Sequence, residues 1–160
     1  MTPFRIGYGY DVHRLVEGRD LWLGGVKVPA EKGALGHSDA DVLLHAICDA
    51  LLGAVGSGDI GTHFPDTDAA WKDADSRDLL RRVKEIISAE GWTVGNVDAT
   101  LVLEKPKIKP HVSAMRETIA GILGIDLSAV GIKATTNEGM GFVGRGEGVC
   151  AHAVALLVRA

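Results

Sequence analysis

Residues 38–55 carry Val42, Leu43, Ala46, Ile47, Ala50 and Leu51 at helical spacing, an apolar face too broad for a helix lying on a wet surface. Gly53 and Gly56 mark its end. Such a helix must be covered, and a sheet is the natural cover. The same stretch places His37, Asp41, His45 and Asp49 at intervals of four, which an α-helix gathers into one stripe. A solvated face explains a lone aspartate or histidine. This stripe, however, holds neither lysine nor glutamate, the usual occupants of a wet helix surface. Ser38 and Asp39 at its start add short oxygen ligands or caps.

The rest of the chain supplies the cover. Residues 4–10 alternate around glycines, and Leu21, Trp22 and Leu23 run through Gly24-Gly25 into Val26, Lys27 and Val28, a hairpin closed by Pro29. Residues 56–70 read as a loop. A second helix starts near Ser76, its expected N-cap, and turns Leu79, Leu80, Val83, Ile86 and Ile87 inward until Gly91 stops it. A strand follows over 97–103. A third helix opens at Pro110 and closes at Gly124, and strands over 130–136 and 149–158 flank a loop over 137–148. This order predicts an α+β fold: a mixed four-stranded sheet with helices on one face plus a small hairpin, in one domain spanning residues 1–160.

Composition narrows the function classes. At 160 residues the chain can bury roughly two thirds of its unfolded surface, so it needs no disulfide framework. Cys48 and Cys150 sit in unrelated contexts and form neither a disulfide pattern nor a metal pair, which fits a reducing compartment. A net charge of −4 argues against nucleic-acid or membrane-surface binding. No apolar run approaches the roughly 18 residues that span a bilayer, and the expected location is the cytoplasm. The 21 glycines are many for this length and point to tight turns and ligand sites lined by backbone.

Asp11 and His13 lie two apart in an extended segment, so both side chains face one way. With one histidine of the helical stripe they make a three-ligand nitrogen and oxygen set that leaves a divalent zinc one open position. His63, His111 and His152 lack such company and read as surface or packing residues. Gly58-Asp59-Ile60-Gly61 and Phe64-Pro65-Asp66-Thr67-Asp68 set carboxylates among residues that let a ribose or phosphate approach the backbone; capped turns are the competing explanation. Thr135, Thr136, Asn137 and Glu138 lead into a run with five glycines in residues 139–148, where hydroxyls and amides suit phosphate, Glu138 a hard cation and Arg145 an anion. A glycine-rich hairpin competes here. The nucleotide P-loop spacing is absent.

Gly9-Tyr10-Asp11-Val12-His13, His37-Ser38-Asp39-Ala40-Asp41-Val42 with His45, the two aspartate loops, Lys133-Ala134-Thr135-Thr136 and Gly144-Arg145-Gly146-Glu147-Gly148 occur in an order that resembles the 2-C-methyl-D-erythritol 2,4-cyclodiphosphate synthase family. The resemblance runs from Arg5 to Arg159. It implies a phosphorus–oxygen lyase of the non-mevalonate isoprenoid route, which converts 4-diphosphocytidyl-2-C-methyl-D-erythritol 2-phosphate into the cyclic diphosphate and releases CMP. It also implies a homotrimer with the sheets facing the trimer axis and the active sites between subunits.

Carried over residue by residue, Asp11, His13 and His45 resemble zinc ligands, and Glu138 the ligand of a second ion, magnesium or manganese. His37 and Thr136 take catalytic positioning roles, and Ser38 sits with His37 at the reacting phosphates. Asp59, Ile60 and Gly61 match the sugar-binding positions, and Phe64, Pro65, Asp66, Thr67 and Asp68 the substrate-side loop. Leu103, Pro106, Lys107 and Lys109 resemble a cytidine loop completed by Ala134, Thr135 and Thr136 of a partner edge. Asn137, Phe142 and Arg145 match further substrate contacts. Asp49, one turn beyond His45, is expected to support the zinc histidines. His152 stands where some relatives carry an acid, which weighs against isoprenoid-diphosphate binding along the trimer axis, and the chain is expected to be the single-function form without a fused cytidylyltransferase. Two other functions use similar residues: a zinc-dependent phosphohydrolase that activates water, and a non-enzymatic trimer that binds isoprenoid diphosphates.

Overall fold

The computed structural model describes residues 2–160. Strand β1 (Phe4–Val16) contains Asp11 and His13 and alternates strictly: odd residues turn toward helices, even ones to solvent. The hairpin forms as expected from β2 (Leu21–Leu23) and β3 (Val26–Val28), a separate two-stranded sheet whose turn residues Gly24 and Gly25 have φ of 62° and 76°. Positive φ at both central positions is what a tight two-residue turn requires. The main sheet has five strands rather than four. The additional one is β4 (Gly33–Leu35), three residues paired with residues 14–16 of β1, too short to show any periodicity in sequence. With β5 (Trp92–Val102), β6 (Val130–Thr135) and β7 (Gly148–Arg159) the order is β4-β1-β7-β5-β6. Only β5 and β6 run parallel, as their crossover through a helix demands.

Helix α1 (Val42–Ala54) lies on β1 and β7 with eleven of its thirteen residues buried. Its backbone nearly touches the strand: a Cβ on Gly7 would collide with the carbonyl oxygen of Ala50, and one on Gly9 with that of Ala46. On it packs α3 (Ser76–Ala89), and against α3 and β6 packs α4 (Val112–Leu123), which ends on Gly124 in the left-handed conformation as its sequence predicts. The two segments expected to be loops each contain one helical turn, α2 (Ile60–His63) and α5 (Gly141–Gly144). The long helices α1, α3 and α4 lie on one side. The other side is covered only where Val143 of α5 packs on Val102 and Cys150, and Phe4, Ile6, Tyr8, Tyr10 and Val12 of β1 and Val154 and Val158 of β7 stay exposed. Ile6 is 71% exposed and Tyr8 60%. The Tyr8 hydroxyl and His152 Nδ1 are hydrogen-bonded on this face at 2.6 Å. Among the described residues no helix is long and apolar enough to cross a membrane.

Candidate metal centre

Alternation along β1 turns Asp11 and His13 toward α1, and the close approach allowed by Gly9 brings His45 down to them. One donor atom from each of the three lies within 4.8 Å of the other two. Asp11 Oδ2 is 3.0 Å from His13 Nε2 and 3.1 Å from His45 Nδ1. His13 Nδ1–H donates to the carbonyl of Leu35 at 3.0 Å, and a carbonyl can only accept. His13 Nε2 therefore faces the carboxylate with a lone pair, buried and without a hydrogen-bond partner. Two acceptors at contact distance with no hydrogen between them are a cation site, and two imidazoles with a carboxylate suit zinc-like ions. Burial pushes the Asp11 carboxyl up, but once the imidazoles are protonated, hydrogen bonding and charge from both histidines outweigh it and pull it down to about 2. Burial lowers His45, but Asp11 beside it wins and raises it above the ordinary histidine value. The residues fit a divalent metal.

The triad opens into a cleft of about 530 Å³ lined by His37, Ser38, Ile60, Gly61, Phe64, Pro65, Asp66 and Thr67 as well as the three ligands. Trp71 and Leu79 complete its wall, and no motif marked either. Phe64 meets Trp71 edge-on, with 4.9 Å between ring centroids, and the Arg82 guanidinium lies over the Trp71 ring, 5.4 Å from its centroid. His37 Nε2 is 3.4 Å from the carbonyl of Asp68, while the Asp68 carboxylate turns away to cap the next turn through Ala70 N–H. Asp59 caps α2, accepting from the N–H and hydroxyl of Thr62.

The four-residue stripe does not survive intact. Helix α1 begins only after Asp41, which is fully buried and points away from the cleft, accepting from Gly24 N–H, Gly25 N–H and Leu44 N–H. It locks the hairpin to the helix start. Asp49 Oδ1 accepts from Ile60 N–H at 2.8 Å, so it anchors the loop of the cleft, and no hydrogen bond joins it to a histidine. The groups around His45 Nε2 are instead Ser76 Oγ at 2.8 Å and Ser38 Oγ at 3.3 Å. Ser76 is not the cap of α3 either. Asp75 is, accepting from Arg77 N–H, and Ser76 is left free to face inward.

A second cavity, of about 250 Å³, is lined by Leu103, Glu104, Pro106, Lys107, Lys109, Ala134, Thr135 and Thr136. Parallel pairing of β5 with β6 sets Thr135 beside Val102, so both walls belong to one chain and no partner edge is needed to form it. Glu104, unmarked in sequence, accepts from Asn137 N–H and ties the walls together. Thr136 Oγ1 accepts from Glu138 N–H, and Glu138 sits at φ 54°. Among the described residues Glu138 belongs to no cluster of three metal-ligating side chains. Arg145 pairs with Glu147 at 3.2 Å, and Phe142 closes over Gly148. A larger cavity of about 550 Å³ adjoins, with Lys32, Lys105 and Arg145 mixed with Glu31 and Glu104.

These features define a small α+β protein with an Asp/His triad able to hold a metal ion, set in a cleft of about 530 Å³. The chain belongs to the YgbB family, whose model matches residues 4–158. It is 62% identical over 159 residues to the 2-C-methyl-D-erythritol 2,4-cyclodiphosphate synthase of Neisseria gonorrhoeae, covering 99% of either chain. A solved 2C-methyl-D-erythritol-2,4-cyclodiphosphate synthase in a CDP-bound form is 41% identical with a TM-score of 0.89, and the match covers 96% of this chain and 99% of that one. The bifunctional IspDF of Campylobacter jejuni matches at 39% identity and a TM-score of 0.94, over 98% of this chain and 42% of that longer one.

Proposed function

We propose that the chain converts 4-diphosphocytidyl-2-C-methyl-D-erythritol 2-phosphate into 2-C-methyl-D-erythritol 2,4-cyclodiphosphate and CMP, as one cyclodiphosphate synthase domain in the cytoplasm. The observation that carries this is the meeting of Asp11, His13 and His45 at a cleft walled by the Phe64 loop, in a chain more than 60% identical to named synthases. In the reaction an oxygen of the 2-phosphate attacks the β-phosphorus, a new P–O bond closes the ring, and the bond from that phosphorus to the CMP oxygen breaks. The attacking oxygen is already an anion, so no strong base is required; the barrier is repulsion between phosphates, and catalysis is positioning and charge stabilisation.

Zinc at the triad would orient and polarise a phosphate oxygen. His37 and Ser38 stand beside the triad to hold the reacting phosphates, Asp59, Ile60 and Gly61 the sugar, and Phe64, Pro65, Asp66, Thr67 and Asp68 form the loop that excludes water. Leu103, Pro106, Lys107, Lys109, Ala134, Thr135 and Thr136 form the cytidine pocket, with Thr136 and Asn137 at its phosphate end. Glu138 holds magnesium or manganese only with oxygens supplied by the substrate, and Phe142 and Arg145 add contacts.

The metal triad is on β1 and β6 borders the cytidine pocket, and the two strands are three spacings apart in the sheet, roughly 14 Å. On this reading two neighbouring subunits make each active site, and the exposed apolar face of β1 and β7 is the surface a homotrimer buries around its axis. Incubating the purified chain with the cytidine diphosphate substrate, with and without chelator, tests the activity by CMP release and product mass. Cyclic product that disappears with chelator is the expected result; an acyclic product carrying a water oxygen would show a phosphohydrolase instead.

A further inference from the structure

We propose that Ser76 and Asp39 are positioning residues for the metal: they decide which nitrogen of His45 carries hydrogen and so aim its other nitrogen at the ion. The proposal rests on the metal reading of Asp11, His13 and His45. Ser76 is the first residue of α3 and fully buried. Its hydroxyl lies between His45 Nε2, at 2.8 Å, and the carboxylate of Asp39, in close contact, and its own N–H donates to Asp39 Oδ2 at 2.9 Å.

Hydrogen counting fixes the direction of this chain. A hydroxyl has one hydrogen, and a carboxylate only accepts, so the Ser76 hydrogen goes to Asp39. The Ser76 oxygen can then only accept from the imidazole, which puts the ring hydrogen on Nε2. Nδ1 is left with its lone pair, 3.1 Å from Asp11 Oδ2 and inside the triad. Ser38 Oγ, 3.3 Å from the same Nε2 and already accepting from Ala40 N–H, is a weaker second acceptor.

Asp39 is itself held. Its Oδ1 accepts from Asp41 N–H at 3.1 Å, and its N–H donates to the Ala74 carbonyl at 3.2 Å. Asp73 N–H reaches the His37 carbonyl at 2.8 Å, so residues 37–39 and 73–76 are fastened together on both sides of the relay. The other ligand histidine is oriented by a backbone carbonyl, that of Leu35. Ser76 and Asp39 are therefore side chains through which the orientation of His45 can be changed without replacing a ligand or a residue of the cleft wall.

Groups that orient a metal-bound histidine typically contribute 10- to 100-fold in metal affinity. Zinc titrated into the chelator-stripped chain, with nitrogen-15 imidazole spectra recorded alongside, tests the assignment. Ser76→Ala is expected to bind zinc about 10- to 100-fold more weakly while the metal-free melting temperature stays within a few degrees. Asp39→Asn keeps an acceptor for the serine and is expected to lose less. Wild-type spectra should show hydrogen on His45 Nε2. Wild-type affinity in Ser76→Ala, or a His45 Nε2 without hydrogen in the zinc-loaded wild type, overturns the proposal. Should Ser76→Ala not fold, the wild-type spectra and Asp39→Asn decide. Failure of the wild type to take up zinc, or undiminished uptake by His45→Ala, refutes the metal reading itself.

Discussion

Asp11 keeps its charge in a site that opposes it, because two imidazoles compensate for lost water. With a folded value of about 2 against an unfolded value near 3.9, the group stabilises the native state above the unfolded value. That contribution, about 2 kcal/mol, is lost as pH falls from about 4 toward 2. In chelator, the urea midpoint of the wild type should therefore drop more steeply over this range than that of Asp11→Asn; parallel curves would show that the carboxylate is not so held. Asp11 and His13 were legible in sequence, because alternation in a strand fixes the direction of a side chain; the helical stripe offered a histidine without saying which, and the family resemblance singled out His45. Asp41 was misread since a four-residue interval gathers side chains only where the helix has begun, and it begins at Val42. Ser76 was illegible for another reason: a serine before an apolar helix reads as its cap, and only its neighbour Asp75 doing that work leaves the hydroxyl for His45.

The meeting of β1 and α1 is the element on which the site depends. Gly9 occupies the crossing point two residues before Asp11, where any side chain would strike the backbone at Ala46, one residue after His45. Gly9→Ala should cost about 3 kcal/mol or more, since backbone cannot rotate away as a side chain does. Gly121, exposed on α4 with open space around it, is the contrasting case. There Gly→Ala should stabilise by about 0.5–1 kcal/mol through helix propensity alone. Paired chemical denaturation curves check both, and equal effects would mean that the helix can lift off the strand. The glycine surplus in sequence signalled close approaches without saying where. The same limit hid β4: three residues have no period, and their place in the sheet comes from pairing with β1 rather than from their own pattern.

At the scale of the molecule, the sheet has one face packed and one apolar and wet, an arrangement that a lone chain of this size does not keep. Ile6→Asp places a charge in the middle of that face without touching the core or either cavity. Sedimentation should show the wild type as three chains and Ile6→Asp as one, with the metal-free fold retained and turnover lost if active sites span subunits; a wild-type monomer would refute the trimer. The alternating pattern of β1 was visible in sequence, but alternation alone does not say which of its two faces the helices cover. The same strand has one more property. Phe4 is the cross-strand partner of Val158, and Arg159 N–H reaches the Pro3 carbonyl, so the first and last strands start and finish side by side. Their Cα atoms are about 5 Å apart at that point. A few linking residues could close the backbone into a loop, to be reopened at the turn of Gly18, and the permuted chain would trace the same sheet from a new starting point.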